Sequence, residues 1–154
     1  MSPETAETLT SLVAAWVAGQ PDLLALGLAG SWAHGNARPE SDLDFLILTT
    51  DQDRYRQDEA WLSAIGLEDA GYRTASRTSA QYGVVWSWHL YLEPDAEVEL
   101  TFARLDWAST NPVDAGTNRV VKDAFKILID KDGRLNALLA LRAARPGELP
   151  PISN

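Results

Sequence analysis

Two short apolar runs, joined by a loop rich in glycine, serine and aspartate, constrain the fold of this chain more than any other feature. The first run, Leu23–Ala29, leads directly into Gly30 and Ser31. Eleven residues after Ser31, an Asp-Leu-Asp sequence at residues 42–44 opens the second run. Apolar runs of this length between turn residues predict two buried strands with polar residues at their ends.

The two aspartates at the start of the second strand indicate a metal site. Asp42 and Asp44 stand at positions i and i+2, so their side chains point to the same face, roughly 7 Å apart at a rise of about 3.3 Å per residue. Flexible carboxylates at that separation can converge on a divalent cation. The Gly30-Ser31 turn, opening a short helix, offers backbone N–H groups to a phosphate. Together these groups predict chemistry on a nucleotide.

Length and composition are those of one globular domain. The chain has 154 residues, enough to bury a substantial core. Its 45% hydrophobic and 23% charged residues are ordinary values. We expect a single domain over residues 1–144 and a flexible tail over residues 145–154. No segment approaches the ~20 apolar residues that cross a bilayer, so no membrane association is expected.

Charge and cysteine content restrict the compartment and the partners. The chain has no cysteine, which excludes disulfides and cysteine-based catalysis or zinc binding. The first residues lack the basic flank of a secretory signal, so a cytoplasmic location is expected. A net charge of −9 repels nucleic acid and disfavours polymerisation on DNA or RNA. It favours a small molecule, particularly a cationic one, or a protein as acceptor. The alternative is that the charge only confers solubility.

Apolar periodicity predicts three helices outside the opening segment. The first begins at Ser2-Pro3 and ends at Gly19, before Pro21. Its apolar face consists of Leu9, Leu12, Val13, Trp16 and Val17. A second helix is expected over residues 51–65. The last is expected after residue 133, with an apolar face of Leu135, Leu138, Leu139 and Leu141.

The middle of the chain predicts antiparallel β-structure. Strands are expected over residues 72–78, 83–92 and 97–102, followed by a loop at 109–117 and a short strand at 125–129. Alternation places Trp86 and Trp88 in the core. The polar faces of the second and third of these strands carry Ser87, His89, Tyr91, Glu97, Glu99 and Thr101.

The glycines, serines and aspartates also form a recognisable motif. The sequence GSWAHG at residues 30–35 matches a GSxAxG pattern, and SDLD at residues 41–44 matches SDxD. The combination resembles the polymerase-beta-type nucleotidyltransferase superfamily. The later sequences EVELTFARLDWAS and NPVDAGTNRVVKDAFKILIDKDG look like small standalone, or minimal, bacterial members, so the resemblance covers about residues 26–139. It implies an α/β (α+β) fold, a mixed sheet with helices packed mainly on one face.

The resemblance also implies a third carboxylate on a later strand beside the DxD strand. Glu97 and Glu99 share a face and are both candidates. We favour Glu99, which stands deeper in the strand within an apolar Val-Glu-Leu sequence, whereas Glu97 is closer to the turn. The alternative is that both glutamates are simply exposed charges on a strand face.

Site roles follow from the resemblance. Asp42, Asp44 and Glu99 are expected to hold Mg²⁺, as two ions, and Glu99 is either a shared ligand or the base. The residues expected to bind the nucleotide are Gly30, Ser31, His34 and Ser41. His34 stands where the family often has Arg or Tyr, and Ser41 is expected to hydrogen-bond locally. Arg38, Arg119, Lys122 and Lys126 are further candidates for phosphate contacts.

The resulting hypothesis is a Mg²⁺-dependent transfer of NMP from a nucleoside triphosphate, AMP from ATP by family frequency, with release of pyrophosphate. The acceptor is a hydroxyl on a small molecule or protein, and its pocket comes from the domain, a second protomer in a homodimer, or a partner protein. One alternative is an antitoxin-type enzyme that adenylylates a partner. Another is a nucleotide-binding regulatory module without turnover. A serine hydrolase is excluded because Ala29 stands where a nucleophile elbow needs glycine.

Overall fold

The computed structural model of the chain describes residues 1–57, 59–108 and 125–143. Several sequence expectations lie outside these residues. They are the loop expected at 109–117, the phosphate-contact candidates Arg119 and Lys122, and the tail expected at 145–154.

Within the described residues, one six-stranded mixed sheet organises the fold. Its spatial order is β3-β4-β5-β2-β1-β6. The strands are β1 Leu23–Ala29, β2 Leu43–Thr49, β3 Arg73–Tyr82, β4 Val85–Glu93, β5 Ala96–Arg104 and β6 Phe125–Asp130. β2 and β5 run parallel, and the other neighbours pair antiparallel. The predicted mixed sheet is confirmed, with β1 bounded by the predicted residues and β2 one residue longer than predicted.

Five described helices and one 3₁₀ turn accompany the sheet. They are α1 Pro3–Ala18, α2 Gly30–His34, α3 Gln52–Gln57, α4 Trp61–Ala64, α5 Arg134–Ala143 and the 3₁₀ turn Leu105–Ala108. α1 begins as the sequence predicts: the Ser2 hydroxyl accepts a hydrogen bond from the Thr5 N–H, and proline occupies the first turn. At its other end the Gly19 N–H donates to carbonyls of the last turn.

The single helix predicted over residues 51–65 is wrong. α3 ends at Gln57 and α4 begins at Trp61, and both Tyr55 and Trp61 are buried. Six residues apart on one continuous helix, these two aromatic side chains would point in widely different directions at about 100° per residue. The interruption lets both enter the same core, where Tyr55 stacks on Phe102 of β5 with ring centroids 4.4 Å apart.

The two faces of the sheet are covered unequally. On one, which we call the helical face, α1, α3 and α4 cover the larger core. Trp88 packs there, with its Nε1 donating to the Tyr55 carbonyl, as its core assignment predicted. The opposite face carries a smaller core with the 3₁₀ turn and α5, formed by Ala25, Leu46, Leu48, Ala103, Trp107, Leu135 and Leu138. Helices therefore pack mainly on one face, as predicted.

The smaller core covers only one end of its face. Leu46 and Leu48 of β2 and Ala103 of β5 belong to that core. Two and four residues earlier along the same strands, strand alternation brings Asp44 and Glu99 to the same side. We call this end, which also carries Glu97, the acidic face. Across the described stretches of the chain, no helix is long and apolar enough to cross a membrane.

Candidate active site

The parallel pairing of β2 and β5 brings two acidic residues side by side. Asp44 and Glu99 are register partners in this ladder. Adjacent strands lie about 4.8 Å apart, so their side chains are immediate neighbours on the acidic face. Asp42 lies just before β2, close enough that its negative charge raises the pKa of both residues. The structure thus places Asp44 and Glu99 side by side, with Asp42 close enough to interact with both electrostatically.

The register also separates the two candidate glutamates. Glu97 pairs with Tyr91 of β4, whereas Glu99 pairs with both His89 of β4 and Asp44 of β2. The Glu97 side chain is 45% exposed and that of Glu99 is 37% exposed. It is Glu99, at the middle of the sheet, that lies beside Asp44.

The carboxylates impose an electrostatic cost on one another. Burial is the main reason that the pKa of Asp44 rises to about 7, and the negative charges of Asp42 and Glu99 and hydrogen bonding to Asp42 add to it. Burial also raises the pKa of Glu99, while His89 opposes the rise. A cation bound between these groups would relieve the repulsion and favour their ionised forms.

Gly30 lies directly against Asp44. Its φ is +75°, a conformation that disfavours other residues, and a β-carbon there would come within 2.7 Å of Asp44 Oδ2. The short helix α2 that follows ends at Gly35, whose φ is +82° and whose N–H donates to the Ser31 carbonyl. Gly30 therefore allows the turn to approach Asp44 closely, and Gly35 ends the short helix.

Ser41 ties the loop before β2 into a compact turn. Its hydroxyl accepts a 2.9 Å hydrogen bond from the Arg38 N–H, and its own N–H donates to the Arg38 carbonyl at 2.9 Å. Its carbonyl accepts from the indole Nε1 of Trp32 in α2, at 3.3 Å. These contacts are the local hydrogen bonds expected of Ser41, and they fix the entry of the chain into Asp42. Its nucleotide contact stays a prediction.

The remaining predicted nucleotide contacts lie around the same turn. Ser31 is partly buried in the first turn of α2, and His34 is exposed at its end. Arg38 is exposed in the loop. Lys126 lies on the sheet face opposite the carboxylates, because it pairs with Leu28, whose side chain belongs to the core of the helical face. Its phosphate contact, like those of the other candidates, stays a prediction.

His89 is a site neighbour whose contacts the sequence alone did not reveal. Its Nε2 lies 3.2 Å from Glu97 Oε1, and its Nδ1 lies 3.8 Å from Glu99 Oε2. Alternation placed His89 on the polar face of its strand. The cross-strand register that puts it opposite Glu99 is a long-range property, which a single sequence does not specify.

The donor set fits a hard divalent cation in its chemistry. Carboxylate oxygens are the protein ligands that Mg²⁺ prefers. Asp44, Glu99 and Glu97 carry such oxygens on the acidic face. In the described part of the chain, however, no three His, Asp or Glu side chains form a metal-coordinating cluster. Asp44 interacts with Asp42, and Glu99 is in contact with His89. Rotation of these side chains is therefore needed before they could share an ion.

The sheet, the Gly30 turn and the acidic pair Asp44 and Glu99 define the class of the protein, the polymerase-beta-type nucleotidyltransferases. A family model described as streptomycin adenylyltransferase matches residues 4–145. The chain belongs to this family, which places it among enzymes of the nucleotidyltransferase type. No curated protein sequence matches it significantly.

Solved structures are similar in fold. An aminoglycoside 6-adenyltransferase from Bacillus subtilis superposes with a TM-score of 0.52 and 13% identity, over 67% of this chain and 36% of that one. The Cid1 poly(U) polymerase matches with a TM-score of 0.40 and 18% identity, over 66% of this chain and 32% of that one. This chain thus spans about a third of the length of these proteins. The first match shows the nucleotidyltransferase fold.

Proposed function

We propose that the protein transfers a nucleoside monophosphate, AMP from ATP, to a hydroxyl group of an acceptor and releases pyrophosphate. The observation that carries the proposal is the register of Asp44 with Glu99, beside Asp42 and against the Gly30 turn. It gathers on one sheet face the oxygen donors that metal-assisted phosphoryl transfer requires, next to backbone that can approach a triphosphate. We place the activity in the cytoplasm, as the composition predicts.

Each residue then has a distinct task. Asp42, Asp44 and Glu99 would hold Mg²⁺, as two ions, which supply positive charge to the triphosphate. The turn at Gly30 and Ser31 would bind the phosphates through its backbone N–H groups and hydroxyl, with His34 and Ser41 at its edge. The acceptor oxygen attacks the α-phosphorus, and the bond to the leaving pyrophosphate breaks. Glu99 would either share the metal or take the acceptor proton.

We propose a small cationic molecule with hydroxyl groups as the acceptor. The name of the family points to streptomycin, which is such a molecule. The net charge of −9 and the exposed carboxylate of Glu97 beside Glu99 favour a cation on the acidic face. A protein acceptor remains the alternative that the same chemistry allows.

Calorimetric titration of ATP with Mg²⁺ into the protein tests the nucleotide site. We expect binding by the wild type and none by the double variant Asp42→Ala/Asp44→Ala. Glu40→Ala is the matched control, since Glu40 is an exposed acid in the loop just before Ser41. Equal binding by the wild type and the double variant would remove the proposed site.

Transfer of label from α-labelled ATP tests turnover. Cationic hydroxylated compounds and candidate proteins are offered as acceptors, with Glu99→Gln as the inactive control. Label in an acceptor, dependent on Glu99, supports the transferase. Nucleotide binding without transfer to any acceptor would instead favour a regulatory module.

A further inference from the structure

The strand β3 lies at one edge of the sheet, and no other described strand pairs with its outer side. It has ten residues, and β4 is its only neighbour among the strands that the structure describes. In an antiparallel pair, every second residue directs its N–H and C=O groups away from the partner strand. The outer side of β3 therefore offers a row of hydrogen-bonding groups to a further extended segment.

The usual protections of an edge strand are weak in β3. Edge strands are commonly short, or they carry lysine, proline or other free charges that disfavour pairing. β3 contains neither lysine nor proline. Its two charged side chains are engaged within the chain, Arg73 with Glu93 and Arg77 with Glu59. The other side chains of β3 are serine, threonine, alanine, glutamine and tyrosine, which an added strand can accommodate.

A cavity of about 420 Å³ lies beside this strand. Thr74 and Arg77 of β3 both line it. They stand three residues apart, but the register of β3 shifts between Thr74 and Ser76, and both pair with leucines of β4 that belong to the core of the helical face. The cavity is therefore on the helical face, between the edge strand and the chain around α4.

The wall opposite β3 determines which side chain fits the cavity. Leu62 and Leu67 supply apolar surface. Glu68 and Asp69 are exposed, and neither side chain has an ion-pair or hydrogen-bond partner among the described residues. A lysine or arginine side chain suits both features, because its aliphatic stem packs on leucine while its charged head pairs with carboxylates.

We propose that the outer side of β3 and this cavity, together called the β3 edge site, bind an extended segment of a partner protein that carries lysine or arginine. The segment adds to the sheet as a further strand, with its backbone hydrogen-bonded to β3. Side chains alternate along a strand, so a basic residue on the helical face of the segment reaches the cavity. Backbone hydrogen bonds supply affinity in this mode of recognition, and the cavity supplies selectivity.

The β3 edge site is separate from the proposed active site. β3 is three strand spacings, or about 14 Å, from β2, which carries Asp44. The cavity also lies on the opposite face of the sheet from Asp44 and Glu99. The inference therefore does not depend on the proposed function. A second copy of the chain fits the site less well, because two chains of net charge −9 repel each other.

Fluorescence anisotropy with labelled peptides and the complete chain tests the site. The probe is a short peptide that alternates threonine with lysine and is blocked at both ends. Its matched control has glutamate in place of lysine. We expect the lysine peptide to bind and the glutamate peptide not to bind. A lysine peptide with every backbone nitrogen methylated cannot donate to β3, so it should not bind either.

Two results of this titration would overturn the proposal. One is the absence of binding between the lysine peptide and the wild type. The other is equal binding of the methylated and unmethylated lysine peptides, since pairing with β3 requires backbone donors.

Amide hydrogen exchange locates the bound peptide. The N–H groups on the outer side of β3 should exchange quickly in the free protein and at least about tenfold more slowly with the lysine peptide bound. Protection that appears in other strands and not in β3 would contradict the docking site.

Glu68→Gln/Asp69→Asn keeps the shape of the cavity wall and removes both charges. It should weaken binding of the lysine peptide about fivefold, as expected for the loss of two partly exposed ion pairs. Glu7→Gln/Glu40→Gln is the matched control, because it changes the net charge equally at exposed residues that do not line the cavity. Equal weakening in the two double variants would assign binding to overall charge and overturn the site.

Two further measurements separate the β3 edge site from its alternatives. Asp44→Asn should bind the lysine peptide as the wild type does, whether or not it binds ATP. Loss of peptide binding in this variant, with binding kept in Glu68→Gln/Asp69→Asn, would place the peptide on the acidic face and overturn the proposal. In sedimentation velocity, a dimer of the chain that the lysine peptide dissociates would assign the edge to a second copy instead.

Discussion

Gly30 and Asp44 are packed so closely that no β-carbon fits between them. A β-carbon built on Gly30 would lie 2.7 Å from Asp44 Oδ2. The turn after β1 and the first residues of β2 therefore form one structural unit, in which the Asp44 carboxylate packs against the backbone of Gly30. This contact explains why a glycine precedes Ser31.

Gly30→Ala should disturb this unit in two ways. The positive φ costs a residue other than glycine roughly 1–2 kcal/mol, and the β-carbon must displace the Asp44 carboxylate. We expect lower stability together with loss of ATP and Mg²⁺ binding. Gly83→Ala, at φ +59° in open space, is the control for strain alone. Retained nucleotide binding in Gly30→Ala would show that the contact does not matter to the site.

The raised pKa of Asp44 predicts a pH-dependent stability of the metal-free protein. An acid whose pKa is about 7 in the folded state and 3.8 when unperturbed binds its proton more tightly when folded. Its contribution to stability is full at low pH and is lost as pH rises toward 7. Between about pH 5.5 and pH 8 the loss should be on the order of 1 kcal/mol, discounted for partial exposure.

Asp44→Asn is the matched variant for that measurement, because it keeps the shape and removes the titration. Thermal melting with a chelator should show a smaller decline with pH in this variant than in the wild type. Added Mg²⁺ should stabilise the wild type more at the higher pH, where the carboxylates are ionised. Parallel pH profiles for the two proteins would contradict the raised pKa.

Local sequence was sufficient where apolar runs are bounded by turn residues. β1 and β2 are such runs, and Gly30 and Asp42 mark the ends that matter for the site. The motif they carry also identified the superfamily, which the family match confirms. Here propensity, pattern and turn chemistry all agree, which is the condition under which a sequence specifies its structure locally.

Long-range pairing accounts for what the sequence did not reveal. β3 extends to Tyr82, although it is mostly exposed and lacks apolar alternation, because its ladder with β4 holds it. Glu99 is the register partner of both Asp44 and His89. The sequence of a single strand does not reveal either pairing. Register arises from the packing of whole faces, so contacts that depend on it require the fold.

Gln52 predicts a stability effect far from the carboxylates. Its buried side-chain amide donates to the carbonyls of Val84 at 2.9 Å and Phe102 at 2.8 Å, joining α3 to β5 and to the residue that precedes β4. Gln52→Leu removes both donors and should lower the free energy of unfolding by about 1–3 kcal/mol. Denaturant unfolding measures the change. Asp53→Ala, at the exposed neighbouring residue, should have little effect. If both variants lost the same free energy of unfolding, the hydrogen bonds of Gln52 would not be the source of the stability.

Glu99→Gln and Glu97→Gln form the sharpest pair of variants, because each removes one charge and keeps its size. Glu99 lies beside Asp44 in register, and its charge helps to raise the Asp44 pKa. Glu99→Gln should therefore stabilise the metal-free protein while reducing transfer on the order of a hundredfold or more, since either a metal ligand or the base is lost.

Glu97→Gln keeps an oxygen that can accept from His89, so transfer should fall by less than about tenfold, well short of the loss of a general base. Melting temperature without metal and initial transfer rates with saturating Mg²⁺ and ATP measure the two effects. If Glu99→Gln alone gains stability and loses transfer, the charge of Glu99 destabilises the metal-free protein but is needed for the reaction. Equal losses of transfer in both variants would mean that register with Asp44 does not distinguish the two glutamates.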